Sequence, residues 1–126
     1  NGFNSTIFCY GQTSSGKTHT MMGNLKNSKH YGIIPKVTTN LFAFMNSEEA
    51  KEYDMKIVIS FLEIYNEKVF DLFSGTRKEL KIRQTKSKGF HVPSLSKVTV
   101  ATAEEMFKQI EMGFKNRSTA ATSQNS

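Results

Sequence analysis

Hydrophobic residues in this chain fall into short runs separated by polar stretches. The first run, Thr6-Ile7-Phe8-Cys9-Tyr10, is rich in β-formers and predicts a strand. After a glycine-bounded loop, His19-Thr20-Met21-Met22 predicts the first turns of a helix. Gly23 to Gly32 is polar and reads as a loop that interrupts or ends that helix. A second helical run starts at Gly32-Ile33-Ile34-Pro35, where Pro35 suits a first turn. Ile34, Val37, Leu41, Phe42 and Met45 then recur at helical spacing and predict a core-facing stripe.

Met55 to Tyr65 is the strongest strand candidate. Ile57-Val58-Ile59 and Phe61-Leu62 alternate so little that both faces are expected to be buried. Tyr65-Asn66-Glu67-Lys68 reads as a tight turn into a returning strand, Val69 to Leu72. Shorter strand candidates follow at Leu80–Ile82, Phe90–Val92 and Lys97–Val100, punctuated by Gly89 and Pro93. The last element is a helix from about Ala103 to Asn116. Thr102 and Glu105 form a capping-box pattern before it, and Met106, Phe107, Ile110 and Phe114 share a face. Gly113 weakens it near its end, and Asn116-Arg117-Ser118 opens a final polar segment. There is no internal repeat.

Between the first strand and helix lies Gly11-Gln12-Thr13-Ser14-Ser15-Gly16-Lys17-Thr18, which fits G-x-x-x-x-G-K-T. Strand, glycine loop and helix is the context that a phosphate-binding loop requires. Gly11 and Gly16 free the backbone so that successive N–H groups can face phosphate oxygens. Lys17 would place its ammonium on the β- and γ-phosphates, and the Thr18 hydroxyl would hold Mg²⁺. A chance match is the competing reading, and the strand-loop-helix context argues against it.

The 126 residues suffice for one small domain with a modest core. No apolar run is long enough to span a bilayer, and there is no signal-peptide pattern. The single cysteine, Cys9, excludes an internal disulfide and suits a reducing compartment, as a packing residue in the first strand. The net charge of +6 permits an acidic partner, although the charge is dispersed. Its densest patch runs from Arg77-Lys78 through Lys81, Arg83 and Lys86 to Lys88, by default a solvated loop face. Aromatic interleaving there is too sparse for stacking bases, so no nucleic-acid partner is expected. His19, His30 and His91 lack metal-ligand spacing; His30 and His91 read as solvated, and His19 could lie beside a nucleotide base. Val69-Phe70-Asp71 is the one candidate for a second Mg²⁺-holding acid. It is rejected because the strand returns antiparallel, which leaves Asp71 as a turn residue. No guanine-reading N-K-x-D occurs.

Thr6 to Met21 resembles the phosphate-loop segment of a kinesin motor domain. Asn1-Gly2-Phe3-Asn4 resembles its lead-in, Gly32-Ile33-Ile34-Pro35 the second half of its loop helix, and Ser60 to Leu72 its long strand and hairpin. Asn116-Arg117-Ser118-Thr119-Ala120-Ala121-Thr122 resembles the approach to switch I. These blocks keep the family's order nearly end to end.

The resemblance implies an α/β P-loop NTPase fold, with a mostly parallel-type mixed central sheet, helices on both faces and a small β lobe at about 80–100. It implies ATP and Mg²⁺ as cofactors, held by Gly11, Gln12, Thr13, Ser14, Ser15, Gly16, Lys17 and Thr18, with Thr18 on the metal and His19 near the adenine. It implies a variable loop at 23–32 and microtubules as the partner, with Lys86, Lys88 and Lys97 as contacts to an acidic surface. Cytoplasm and the microtubule cytoskeleton are the expected location.

The chain is expected to be an internal fragment, an incomplete motor domain over 1–126. Switch I would begin near Asn125 and Ser126, so no catalytic residue falls within the chain, and alone it is expected not to turn over ATP at a useful rate. Three alternatives stand beside an ATP-driven microtubule motor. One is a kinesin-like module that binds microtubules or a partner without turnover; another is a different P-loop enzyme, such as a nucleotide kinase or GTPase; a nucleic-acid binder is the weakest. Oligomeric state, direction and cargo depend on regions outside these residues.

Overall fold

The computed structural model describes residues 3–123, so Asn1, Gly2, Asn125 and Ser126, on which the lead-in and switch I expectations fall, lie outside the described residues. The chain divides into two compact units, one up to Tyr53 and one from Asp54.

In the first unit, helix α1 (Lys17–Met21) is followed by a 3₁₀ turn (Ser28–His30), helix α2 (Ile33–Met45) and a second 3₁₀ turn (Glu49–Glu52). The strand expected at Thr6–Tyr10 does not form. A strand exists through its ladder partner, and among the described residues none pairs with this segment. Ile7, Phe8 and Tyr10 stay 56%, 76% and 88% exposed. The loop at 23–32 closes on itself instead of trailing into solvent. Gly23 bridges Tyr31, the Asn24 N–H donates to the His30 carbonyl at 2.8 Å, and the Gly32 N–H donates to the Met22 carbonyl at 3.1 Å. Helix α2 therefore begins where α1 ended. Gly23 has φ +62°, and a Cβ there would run into the His30 carbonyl oxygen.

The apolar stripe of α2 is rotated from the expected one. Pro35, Thr38 and Phe42 are buried, whereas Val37 is 51% exposed. At 3.6 residues per turn, Ile34, Thr38, Leu41, Phe42 and Met45 share one arc and Val37 lies about 100° from its centre. The small Thr38, 0% exposed, occupies the place nearest the core.

The second unit is strand-rich. Strand β1 (Ile57–Ile59) pairs with β7 (Val98–Val100), β2 (Leu62–Tyr65) pairs with β3 (Lys68–Asp71), β3 pairs with β4 (Glu79–Leu80), and β5 (Arg83–Thr85) pairs with β6 (Gly89–His91). Every pairing is antiparallel, so the parallel order implied by the resemblance is not made among the described residues. The strand expected over Met55–Tyr65 is broken at Ser60–Phe61, and its halves join different sheets. Nor are both faces covered, since Val58 and Ile64 are 46% and 66% exposed. Strand β5 was not anticipated, because Arg83-Gln84-Thr85 has no apolar residue to signal it. The β2–β3 turn is as expected, with Asn66 and Glu67 both left-handed at φ 49° and 61°.

Val69, Phe70, Leu72, Val100 and Ile110 form the buried core here, Ile110 from helix α3 (Ala103–Ser123). The Thr102 half of the capping box is made, with the Glu105 N–H donating to Thr102 Oγ1 at 3.1 Å, while the Glu105 carboxylate reaches one residue further back and accepts from the Ala101 N–H at 2.8 Å instead of from Thr102. The helix runs past Asn116, where a polar segment was expected, and Ala120-Ala121 favour its continuation. Gly113 is a packing residue as well as a weak helix former. The Phe61 ring fills the space a Cβ would need, and the same ring meets Phe73 and Phe114 edge-on at 5.9 and 5.3 Å between centroids.

Asp71 ends β3 at 7% exposure. Its carboxylate accepts from the Phe73 N–H at 2.9 Å and the Ser96 N–H at 2.8 Å. Burial opposes its charge, but hydrogen bonds from Ser96, Phe73 and Ser74 outweigh that and hold its carboxyl below the ordinary value. Its oxygens are committed to the fold. Among the described residues, no helix is long and apolar enough to cross a membrane.

Candidate nucleotide-binding site

The loop from Gly11 to Thr18 takes its shape from backbone that side chains disfavour. Gly11 has φ 153°, Ser14 φ 66° and Gly16 φ 93°. Gly16 caps α1 in the left-handed region, which lets the chain turn into the helix within one residue. Gly11 has a second reason to lack a side chain: a Cβ there would lie 2.6 Å from Ser15 Oγ. The Ser15 N–H donates to the Gln12 carbonyl at 3.2 Å, which closes the first part of the loop.

Lys17 folds back across this ring. Its Nζ donates to the Gly11 carbonyl at 2.6 Å and the Gln12 carbonyl at 2.7 Å. It is the one half-buried residue of a loop that is otherwise exposed. Its ammonium therefore sits over the loop, held by neutral oxygens that an anion can displace. Beside it is a concavity of about 270 Å³ lined by Phe8, Cys9, Tyr10, Ser15, Gly16, Lys17 and Thr20. Phe8 and Tyr10 stand on one side of the extended segment, with centroids 6.2 Å apart. Helix α1 has five residues, so its dipole is short, and the loop amides and Lys17 carry the attraction for an anion.

Of the residues singled out from the sequence, Ser15, Gly16 and Lys17 line the concavity, and Gly11 and Gln12 hold the lysine. Thr13, Ser14, Thr18 and His19 are exposed and do not line it. The Thr18 and His19 carbonyls each accept an N–H, from Met22 and Gly23 at 2.8 Å, so both belong to the closing turn of α1. Cys9 was expected as packing within a strand; it is half-buried and lines the concavity. Phe8, Tyr10 and Thr20 were not anticipated there. Their signal was the aromatic run directly before Gly11. Lys86, Lys88 and Lys97 are all exposed, the first two in the turn between β5 and β6 and the third just before β7. His91, half-buried, turns Nδ1 to the Gly89 carbonyl at 3.0 Å. Among the described residues, no group of three or more His, Cys, Asp or Glu could hold a metal ion.

A strained glycine loop around a lysine, at the start of a helix that breaks and resumes, is the local arrangement that a phosphate-binding loop requires. The sequence profile of the kinesin motor domain matches residues 1–126, and the chain belongs to that family. It is 38% identical over 133 residues to Kinesin-like protein KIN-12E of Arabidopsis thaliana, covering 98% of this chain and 10% of that protein. It is 41% identical over 126 residues to Kinesin-like protein KIF13B of Homo sapiens, covering 98% of this chain and 7% of that one. Kinesin heavy chain of Syncephalastrum racemosum is 40% identical over 126 residues, with coverages of 98% and 13%. The chain thus spans about a tenth of the length of the curated relatives it matches. A solved fast kinesin, described for its ATPase mechanism and its interactions with microtubules, superposes with a TM-score of 0.89 at 30% identity, over 100% of this chain and 36% of that one. The fold is that of part of a kinesin motor domain.

Proposed function

We propose that this chain forms the nucleotide-cradling part of a microtubule-based motor that binds and hydrolyses ATP to drive movement along microtubules. The observation that carries the reading is the Lys17 ammonium, folded over the Gly11–Gln12 carbonyls beside an open concavity. The residues present fit a magnesium nucleotide: a Cβ-free Gly11, loop amides and a lysine held by weak, replaceable partners. Bound Mg²⁺-ATP supplies a γ-phosphoryl group already charge-compensated for transfer. The backbone N–H groups of the loop other than that of Ser15, which closes the loop on the Gln12 carbonyl, would donate to phosphate oxygens. Lys17 exchanges its two carbonyl partners for phosphate. The Thr18 hydroxyl would hold the metal and His19 would lie near the base, both from exposed positions beside the concavity.

The chain alone is a binder without turnover. In the unit that carries the loop, the carboxylates are Glu48, Glu49 and Glu52, around the second 3₁₀ turn, and none lines the concavity. Lys86, Lys88 and Lys97 meet the acidic surface of the microtubule, and the working place of the motor is the microtubule cytoskeleton in the cytoplasm.

The test is phosphate release from the purified chain with Mg²⁺-ATP, with and without microtubules. The expected result is no steady turnover by the chain. A steady rate that Lys17→Ala abolishes would show that hydrolysis needs nothing beyond these residues, and would overturn this reading.

A further inference from the structure

From Lys81 to Lys97 the chain carries five Lys or Arg residues and no Asp or Glu. Its most open part is the β5–β6 hairpin, where every residue from Lys81 to Phe90 is exposed. The turn is Lys86-Ser87-Lys88, followed by Gly89 at φ +62°. The Lys88 N–H donates to Thr85 Oγ1 at 3.2 Å, which engages the Thr85 hydroxyl. The Ser87 hydroxyl, at the apex, has no hydrogen bond among the described residues.

We propose that Ser87 is a phosphoacceptor for a protein kinase that selects basic substrates, and that its phosphate releases this hairpin from the acidic protein surface on which Lys86 and Lys88 dock. The second half rests on the microtubule contact proposed above; the first does not.

Three features of the hairpin carry the assignment. A kinase with an acidic cleft needs cations around the acceptor, and Arg83, Lys86 and Lys88 surround Ser87 in sequence. The acceptor must leave its turn to reach the transferred group. A lone two-stranded hairpin is marginal in water, and this one pairs only Arg83 with His91, Gln84 with Phe90 and Thr85 with Gly89. Opening it exposes no buried apolar side chain, since residues 81–90 are exposed already. Of the neighbouring hydroxyls, Thr85 ties the turn and Ser96 is half-buried with its N–H on the Asp71 carboxylate; Ser94 is exposed but lies outside the hairpin, directly after Pro93, and is the rival acceptor.

In the step, Ser87 Oγ bonds to the γ-phosphorus of an ATP held by the kinase. The bond from that phosphorus to the β–γ bridging oxygen breaks, ADP leaves, and the hydroxyl proton passes to the kinase's carboxylate base. The product carries about −1.5 to −2 charges between Lys86 and Lys88, enough to cancel both.

The test treats the whole chain with a purified basophilic kinase and labelled ATP, maps the label by mass spectrometry, and then measures co-sedimentation with microtubules at low salt. Label is expected on Ser87 and absent from Ser87→Ala. The phosphorylated chain is expected to bind roughly three- to tenfold more weakly, as for two lost surface charge contacts, and treated Ser87→Ala not to weaken. Label confined to Thr85, Ser94 or Ser96 overturns the acceptor assignment. Label on Ser87 with unchanged co-sedimentation overturns the release. A Lys86→Ala/Lys88→Ala chain identifies the cause of that second result: if it too sediments unchanged, the hairpin is not a microtubule contact, and the contact proposed above fails while the Ser87 assignment stands on its label.

Discussion

The loop at 11–18 and the strand meander from Ile57 to Val100 are held in opposite ways. In the loop the defining contacts are local: Lys17 reaches Gly11 and Gln12, and Ser15 reaches Gln12. In the meander they span long stretches of chain. Ser96 donates to Asp71 across 25 positions, Asn116 Nδ2 donates to the Leu72 carbonyl across 44, and Phe61 meets Phe114 and Gly113 from another element. A loop of the first kind carries its chemistry in its own residues and contributes little to stability. A region of the second kind has no chemistry of its own along most of its length, yet its few distant contacts decide whether it folds.

That contrast predicts where substitutions will act. The largest stability loss is expected at Asp71. Asp71→Ala leaves the Ser96 and Phe73 N–H groups without their charged acceptor, at a cost of about 3 kcal/mol, read by urea denaturation. The effect depends on pH with a definite sign. The folded carboxyl lies below its unfolded value near 3.8, so its contribution is complete above that value and is lost as pH falls through the folded one. The gap between wild type and Asp71→Ala should therefore narrow on acidification. Gly113→Val comes next, because its side chain enters the Phe61 ring; overpacking of about 2 kcal/mol is expected from thermal melts. Gly11→Ala should reverse the pattern. It leaves the melting midpoint nearly unchanged but weakens nucleotide binding about tenfold, since the left-handed strain and the contact with Ser15 Oγ distort the cradle. The smallest effect is a gain: Glu67→Gly should stabilise by about 0.5 kcal/mol by relieving a left-handed turn position. Equal responses at Gly11 and Asp71 in both readouts would erase the distinction.

The same contrast explains what the sequence disclosed. Gly11, Gly16 and Lys17 were legible because their spacing is the geometry. The β2–β3 turn and the Thr102–Glu105 cap were legible for the same reason, each being closed within a few residues. The strand at Thr6–Tyr10 was misread because β-formers state a preference, whereas a strand needs a partner, and none of the described residues supplies one. Val37 was placed on the core face of α2 because it is apolar, but the helical arc buries Thr38. The break at Ser60–Phe61 was hidden inside a continuous apolar run, since changing sheets leaves no mark on hydrophobicity. Gly113 looked like a weakness because Phe61, its reason, lies far away in sequence. The polar hairpin strand β5 gave no apolar signal at all.

The most direct test of the central claim is an equilibrium titration of the chain with a fluorescent ATP analogue and Mg²⁺, beside Lys17→Ala in the same buffer. Saturable binding by the wild type is expected, weakened at least about tenfold in the variant, as for loss of a charge-assisted phosphate contact, with both chains melting at the same temperature. Equal affinity in the two chains, or no binding by a folded wild type, would contradict the assignment of this loop as the nucleotide cradle.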